Sequence, residues 1–101
     1  MTDETVIDKK TKTKSKVQKP KNYHVILLND DYTTMAFVIG LLSFVFHKTD
    51  SEAFNITREI HEKGKGIAGT FSLEIAETKA AETIMLARQS EFPLTALVVE
   101  E

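Results

Sequence analysis

From Met35 to Phe46 the chain reads Met-Ala-Phe-Val-Ile-Gly-Leu-Leu-Ser-Phe-Val-Phe, with Ser43 its only polar side chain. Phe37, Val38, Leu41, Leu42, Phe44 and Val45 spread apolar surface around most of a helix's circumference, so this helix is expected to be buried nearly all round. A chain of 101 residues holds one hydrophobic core and no second. The segment must therefore be the core helix, with the remaining elements packed around it. Neither it nor any other apolar run is long enough to span a bilayer.

The flanking segments supply that packing. Pro20 precedes the short, partly β-branched run Tyr23-His24-Val25-Ile26-Leu27-Leu28, which reads as a buried strand. Asn29-Asp30-Asp31 breaks it with side chains that bond nearby backbone, and Thr33 or Thr34 can cap the core helix. Thr49-Asp50-Ser51-Glu52 matches a capping box, after which Ala53, Ile56, Thr57, Ile60 and His61 fall at helical spacing up to a stop at Gly64. Ile67 to Phe71 reads as a second strand with a bulge or close backbone approach at Gly69. Ser72 can cap a third helix, whose apolar face is Leu73, Ala76, Ala80, Ile84 and Ala87 and which ends near Ser90, before Pro93. Leu94 to Val99 makes the last strand. The order is strand, helix, helix, strand, helix, strand: an α/β (α+β) sandwich in which a three-stranded antiparallel sheet is covered on one side by three helices. A mixed sheet is the alternative.

Charge divides the chain in two. Residues 1–22 carry seven lysines against three acids, a net of +4, and the remainder carries six Lys or Arg against twelve acids, a net of −6. Low hydrophobicity and scattered lysines make 1–22 a disordered basic extension, and the core domain is 23–101. The extension lacks arginine and stacking aromatics and adjoins an acidic domain, which argues against nucleic-acid binding. The opening residues hold no apolar stretch, so they are not a secretory signal. With no cysteine there is no disulfide framework or thiolate metal site, and a cytoplasmic location is expected.

Catalytic signatures are missing. His24, His47 and His61 are not spaced as a local zinc motif, and there is no cysteine nucleophile, nucleophile elbow or phosphate-cradling glycine loop. No metal or cofactor is expected. Asp30 and Asp31 form a carboxylate pair, but adjacent carboxylates in a turn serve more often as turn and helix-entry residues than as catalysts. His61 lies one helical turn after Thr57 on a half-apolar stripe, where histidines are usually hydrogen-bonded at the core edge. On these grounds alone the chain is an interaction domain.

The run Val25-Ile26-Leu27-Leu28-Asn29-Asp30-Asp31-Tyr32-Thr33-Thr34-Met35-Ala36-Phe37-Val38 resembles the signature of the ClpS family, adaptors of the ATP-dependent Clp protease in the N-degron pathway of bacteria. His61-Glu62-Lys63-Gly64-Lys65-Gly66 is similar to that family's His-x-x-Gly-Lys segment, Ala76-Glu77-Thr78-Lys79 to its Ala-Glu-Thr-Lys motif, and Pro93-Leu94 to the start of its last strand. The resemblance covers Tyr23 to the end, with the motifs in order. It implies a non-enzymatic adaptor, similar in element order to the C-terminal domain of the bacterial ribosomal stalk protein. Such an adaptor binds substrate proteins beginning with Leu, Phe, Tyr or Trp and delivers them to the N-terminal domain of a ClpA-type AAA+ unfoldase. Carried over by position, Asn29, Asp30 and His61 receive the free α-amine, and Thr33, Met35, Val38, Thr57, Ile60 and Leu94 form the hydrophobic pocket. The resemblance also implies that Glu74 and Lys79 face the unfoldase, and a monomer with no membrane or nucleic-acid partner is expected.

Two positions depart from the family pattern. Thr34 replaces a frequent proline at a helix start, where threonine serves almost as well. Thr57 replaces a common methionine at the pocket rim, which alters the rim's shape. Two other readings remain at this point: a stalk-like interaction domain, which has no joint use for Asn29, Asp30 and His61, and a metal-dependent hydrolase built on Asp30, Asp31 and His61.

Overall fold

A computed structural model describes residues 20–101. The elements are β1 (Tyr23–Leu28), α1 (Met35–Phe46), α2 (Asp50–Lys63), β2 (Lys65–Phe71), α3 (Leu73–Gln89) and β3 (Thr95–Glu100). Apart from its last three residues, the expected extension 1–22 lies outside the described residues. Two of them contact β3 and the residue after it: the Asn22 carbonyl accepts from the Glu101 amide at 2.9 Å, and Lys21 pairs with Glu100 at 3.5 Å.

The sheet is antiparallel throughout, in the order β2-β1-β3, so the first strand of the chain lies in the middle. Side chains alternate across it. Val25 and Leu27 are fully buried under the helices, while on the other face Ile67, Leu97 and Val99 are exposed. The expected irregularity at Gly69 is present as a bulge: Val25 pairs with Gly69 and Ile26 with Ile67, leaving Ala68 as the extra residue. Phe71 folds its ring over Gly69 and meets Phe46 at a centroid distance of 6.1 Å.

Local signals set the helix ends. Thr34 caps α1, its hydroxyl accepting from the Phe37 amide at 3.1 Å, and the Thr49–Glu52 capping box closes with both reciprocal bonds. Gly64 ends α2 at φ 90°, a left-handed conformation that suits glycine. Ser72 occupies the N-cap position of α3, but its side chain makes no capping bond.

The expectation that α1 is buried nearly all round is corrected at Phe44, which is 70% exposed. Val38, Leu41, Leu42, Val45 and Phe46 are buried, but among the described residues nothing covers the opposite flank on the outer side of the helical layer. The face of α3 also differs from expectation. Leu73 is exposed, and Ala76, Ala80, Thr83 and Ala87 form the buried row, their small side chains letting the helix lie close to its neighbours. Phe37 and Phe92 pack with centroids 5.0 Å apart, fastening α1 to the turn after α3.

Candidate functional site

The turn between β1 and α1 meets the end of α2 at one corner of the molecule. Leu28 pairs with Lys65, and the next amide, that of Asn29, donates to the Gly64 carbonyl at 2.9 Å. This bond ties the turn to the C-terminus of α2, one turn after His61.

Asp30 organises the turn. Its Oδ1 accepts from the amides of Tyr32 at 2.8 Å and Thr33 at 2.7 Å, and its Oδ2 accepts from the Thr33 hydroxyl at 2.7 Å. Partial burial pushes its pKa up, but the Thr33 and Tyr32 hydrogen bonds and the field of Arg88 outweigh that and hold the carboxyl below its ordinary value. Arg88 is itself fixed, donating to the carbonyls of Phe92 at 2.8 Å and Leu94 at 2.9 Å. A carboxylate has about four lone-pair sites, so with three of them used Asp30 keeps a free acceptor position and its full charge.

Beneath the turn lies a cavity of about 270 Å³, lined by Asn29, Asp30, Asp31, Thr33, Met35, Val38, Thr57, Ile60 and His61. Polar acceptors and apolar side chains share its wall. Met35 is 41% exposed, whereas Val38, Thr57 and Ile60 are buried. Thr57, Ile60 and His61 fall on one face of α2 because i, i+3 and i+4 are neighbours on a helix. The Oγ1 of Thr57 is buried and has no hydrogen-bond partner among the described residues.

Eight of the nine residues named from the sequence for the amine site and the pocket line this one cavity. Leu94 does not. It is 1% exposed within the core, and only its carbonyl bears on the site, through Arg88. Asp31 lines the cavity too; sequence reasoning had it as a turn residue, one of a carboxylate pair with Asp30, and as a candidate only in the hydrolase reading, not in the amine site or the pocket. Glu74 and Lys79 lie apart from the cavity, along a shallow depression on α3 shared with Ile75, Thr78 and Glu82. Lys79 is half-buried and already engaged: its Nζ donates to the Val45 carbonyl at 2.7 Å and stands 5.8 Å from the Phe71 ring centroid. Among the described residues no group of three His, Cys, Asp or Glu side chains is placed to hold a metal ion, and no helix is long and apolar enough to cross a membrane.

Comparison with known proteins bears on the chain's family and fold. Over its full length the chain is 46% identical to the ATP-dependent Clp protease adapter protein ClpS of Acetivibrio thermocellus, which it also covers completely. It is 48% identical to the protein of the same name from Clostridium acetobutylicum over 94 residues, 93% of each chain. The solved structure of Agrobacterium tumefaciens ClpS2 bound to L-phenylalaninamide superposes with a TM-score of 0.79 at 36% identity, covering 82% of this chain and all of that one. The family model described as ATP-dependent Clp protease adaptor protein ClpS matches residues 18–97, and with the relatives above it shows that the chain belongs to the ClpS family.

Proposed function

We propose that this adaptor captures proteins by their first residue, receiving the free α-amine on Asn29, Asp30 and His61 and the side chain in the cavity below, and delivers them to a ClpA-type unfoldase. The observation that carries this reading is the cavity itself, in which a charged acceptor with a free lone pair stands over an apolar floor of Val38 and Ile60. An ammonium offers three donors and one positive charge, and it needs oxygen or nitrogen acceptors with a carboxylate nearby. Asparagine, aspartate and neutral histidine provide them.

The magnitudes agree. Burying a Leu or Phe side chain contributes ~1.5–3 kcal/mol, and each hydrogen bond to a charged group ~1.5–3 kcal/mol. A micromolar complex needs only ~8 kcal/mol. An internal leucine is refused because its amide brings no ammonium, leaving the acceptors unpaired. The phenylalaninamide held by the Agrobacterium relative has the chemistry this site fits: an apolar side chain beside an α-amine.

Docking on the N-terminal domain of the unfoldase is assigned to the outer face of α3. Glu74 and Lys79 flank Ile75, which is 50% exposed, so charge and apolar surface lie together there. The extension 1–22 is assigned to hand-over, as the leader the unfoldase engages. Two short peptides differing only in a free or an acetylated N-terminal Leu test the capture step by titration. Tight binding of the free peptide alone is expected, and equal affinities overturn the reading.

A further inference from the structure

Thr57 stands in the wall of the cavity with a hydroxyl that is buried and bonded to nothing. It is 2% exposed, and its neighbours in the wall, Val38 and Ile60, have no polar side-chain atom to offer. A buried hydroxyl without a partner is costly, and any occupant that supplies one recovers that cost. Threonine in a helix divides between two side-chain rotamers, so a turn about χ1 exchanges Oγ1 with the methyl group and changes which of them faces the cavity.

We infer that Thr57 is a specificity-determining residue that selects a first residue whose side chain carries a hydrogen-bonding group, a phenol above all. This inference rests on the capture of N-terminal residues proposed above and deepens it. Phenylalanine and leucine present only carbon to the wall and leave the hydroxyl orphaned. Tyrosine has the shape of phenylalanine plus one O–H that both donates and accepts, so it bonds Thr57 Oγ1 in either sense once a turn about χ1 brings that buried atom to the cavity. Sites that hydrogen-bond a substrate hydroxyl discriminate strongly against the analogue lacking it, because the site's own polar group is then stranded.

The test is fluorescence-anisotropy titration of the full chain with peptides identical except for N-terminal Tyr or Phe, each with a free and an acetylated amine. Wild type, Thr57→Val and Thr57→Ser are compared. Wild type is expected to favour Tyr over Phe by about tenfold, roughly 1.4 kcal/mol. Thr57→Val keeps the shape without the hydroxyl, so the Tyr-to-Phe ratio should fall to about one, whereas misfolding would weaken both peptides alike and leave the ratio unread. Thr57→Ser should retain the preference. A Tyr-to-Phe ratio unchanged in Thr57→Val overturns the inference while leaving amine capture standing. Acetylated peptides that bind as well as free ones overturn the capture reading instead.

Discussion

Asp30 does two things at once, and Asp30→Asn separates them. The carboxylate closes the turn through the Tyr32 and Thr33 amides on Oδ1 and the Thr33 hydroxyl on Oδ2. An asparagine oxygen accepts from the same two amides, and its NH₂ donates to the Thr33 hydroxyl, which rotates to receive it. The turn survives; the negative charge and the free lone pair do not. One hydrogen bond between charged partners is worth ~1.5–3 kcal/mol, so an N-terminal Leu peptide should bind Asp30→Asn about 10- to 150-fold more weakly. Asp30→Ala should fold less stably, because it also strands the two amides. Anisotropy titration gives the affinity, and circular dichroism checks that the variant is folded and melts near wild type. A folded Asp30→Asn with wild-type affinity would refute the assignment of the ammonium to this carboxylate.

Three further outcomes are expected. His61→Ala should lose most of its affinity for an N-terminal Leu peptide while staying folded, because it removes one of the three amine acceptors, and wild-type affinity in the folded variant would take the histidine out of the amine site. Gly69→Ala places a Cβ 2.6 Å from the Phe71 ring and 3.4 Å from Phe46, displacing the ring at a cost of ~1–3 kcal/mol, with Tm falling ~4–8 °C per kcal/mol. Peptide affinity should hold in that variant, and an unmoved melting curve would show that the ring yields freely. Deleting residues 1–17 should leave peptide and unfoldase binding near wild type yet slow degradation of an N-terminal Leu substrate by the complete protease, and undiminished degradation would remove the tail from the hand-over.

What the sequence made legible was governed by neighbours in the chain. The Thr49–Glu52 box, the Gly64 stop and the Asn29-Asp30-Asp31 turn each depend on side chains bonding backbone a few residues away, and each formed where expected. Ser72 was placed correctly at the head of α3, yet position alone could not show whether its hydroxyl would bond. The candidate site was legible through its resemblance to a family, since periodicity alone left His61 an ordinary core-edge residue. The remainder depended on distant partners. Nothing local to Phe44 shows that its flank of α1 faces outward, or that the carbonyl of Val45 receives the ammonium of Lys79, 34 residues later. The orphaned hydroxyl of Thr57 is hidden for the same reason, because a missing partner is a property of the assembled wall.

The position of β1 in the middle of the sheet gives assembly a timetable. Every residue lining the cavity is synthesised by His61, and β2 follows at once to fill one edge of β1. The other edge waits for Thr95–Glu100, the last strand made, whose Thr95 pairs with Leu28 immediately before the turn that carries Asn29 and Asp30. Until then β1 presents an open row of amides and carbonyls, and Arg88 lacks the Leu94 carbonyl that fixes it near Asp30. Pairing Tyr23 with Glu100 closes nearly the whole domain as one loop, a slow and late event in folding. A chain still under synthesis therefore carries all the residues of the cavity without the brace behind them, and the cavity gains that brace only when Thr95–Glu100 is in place.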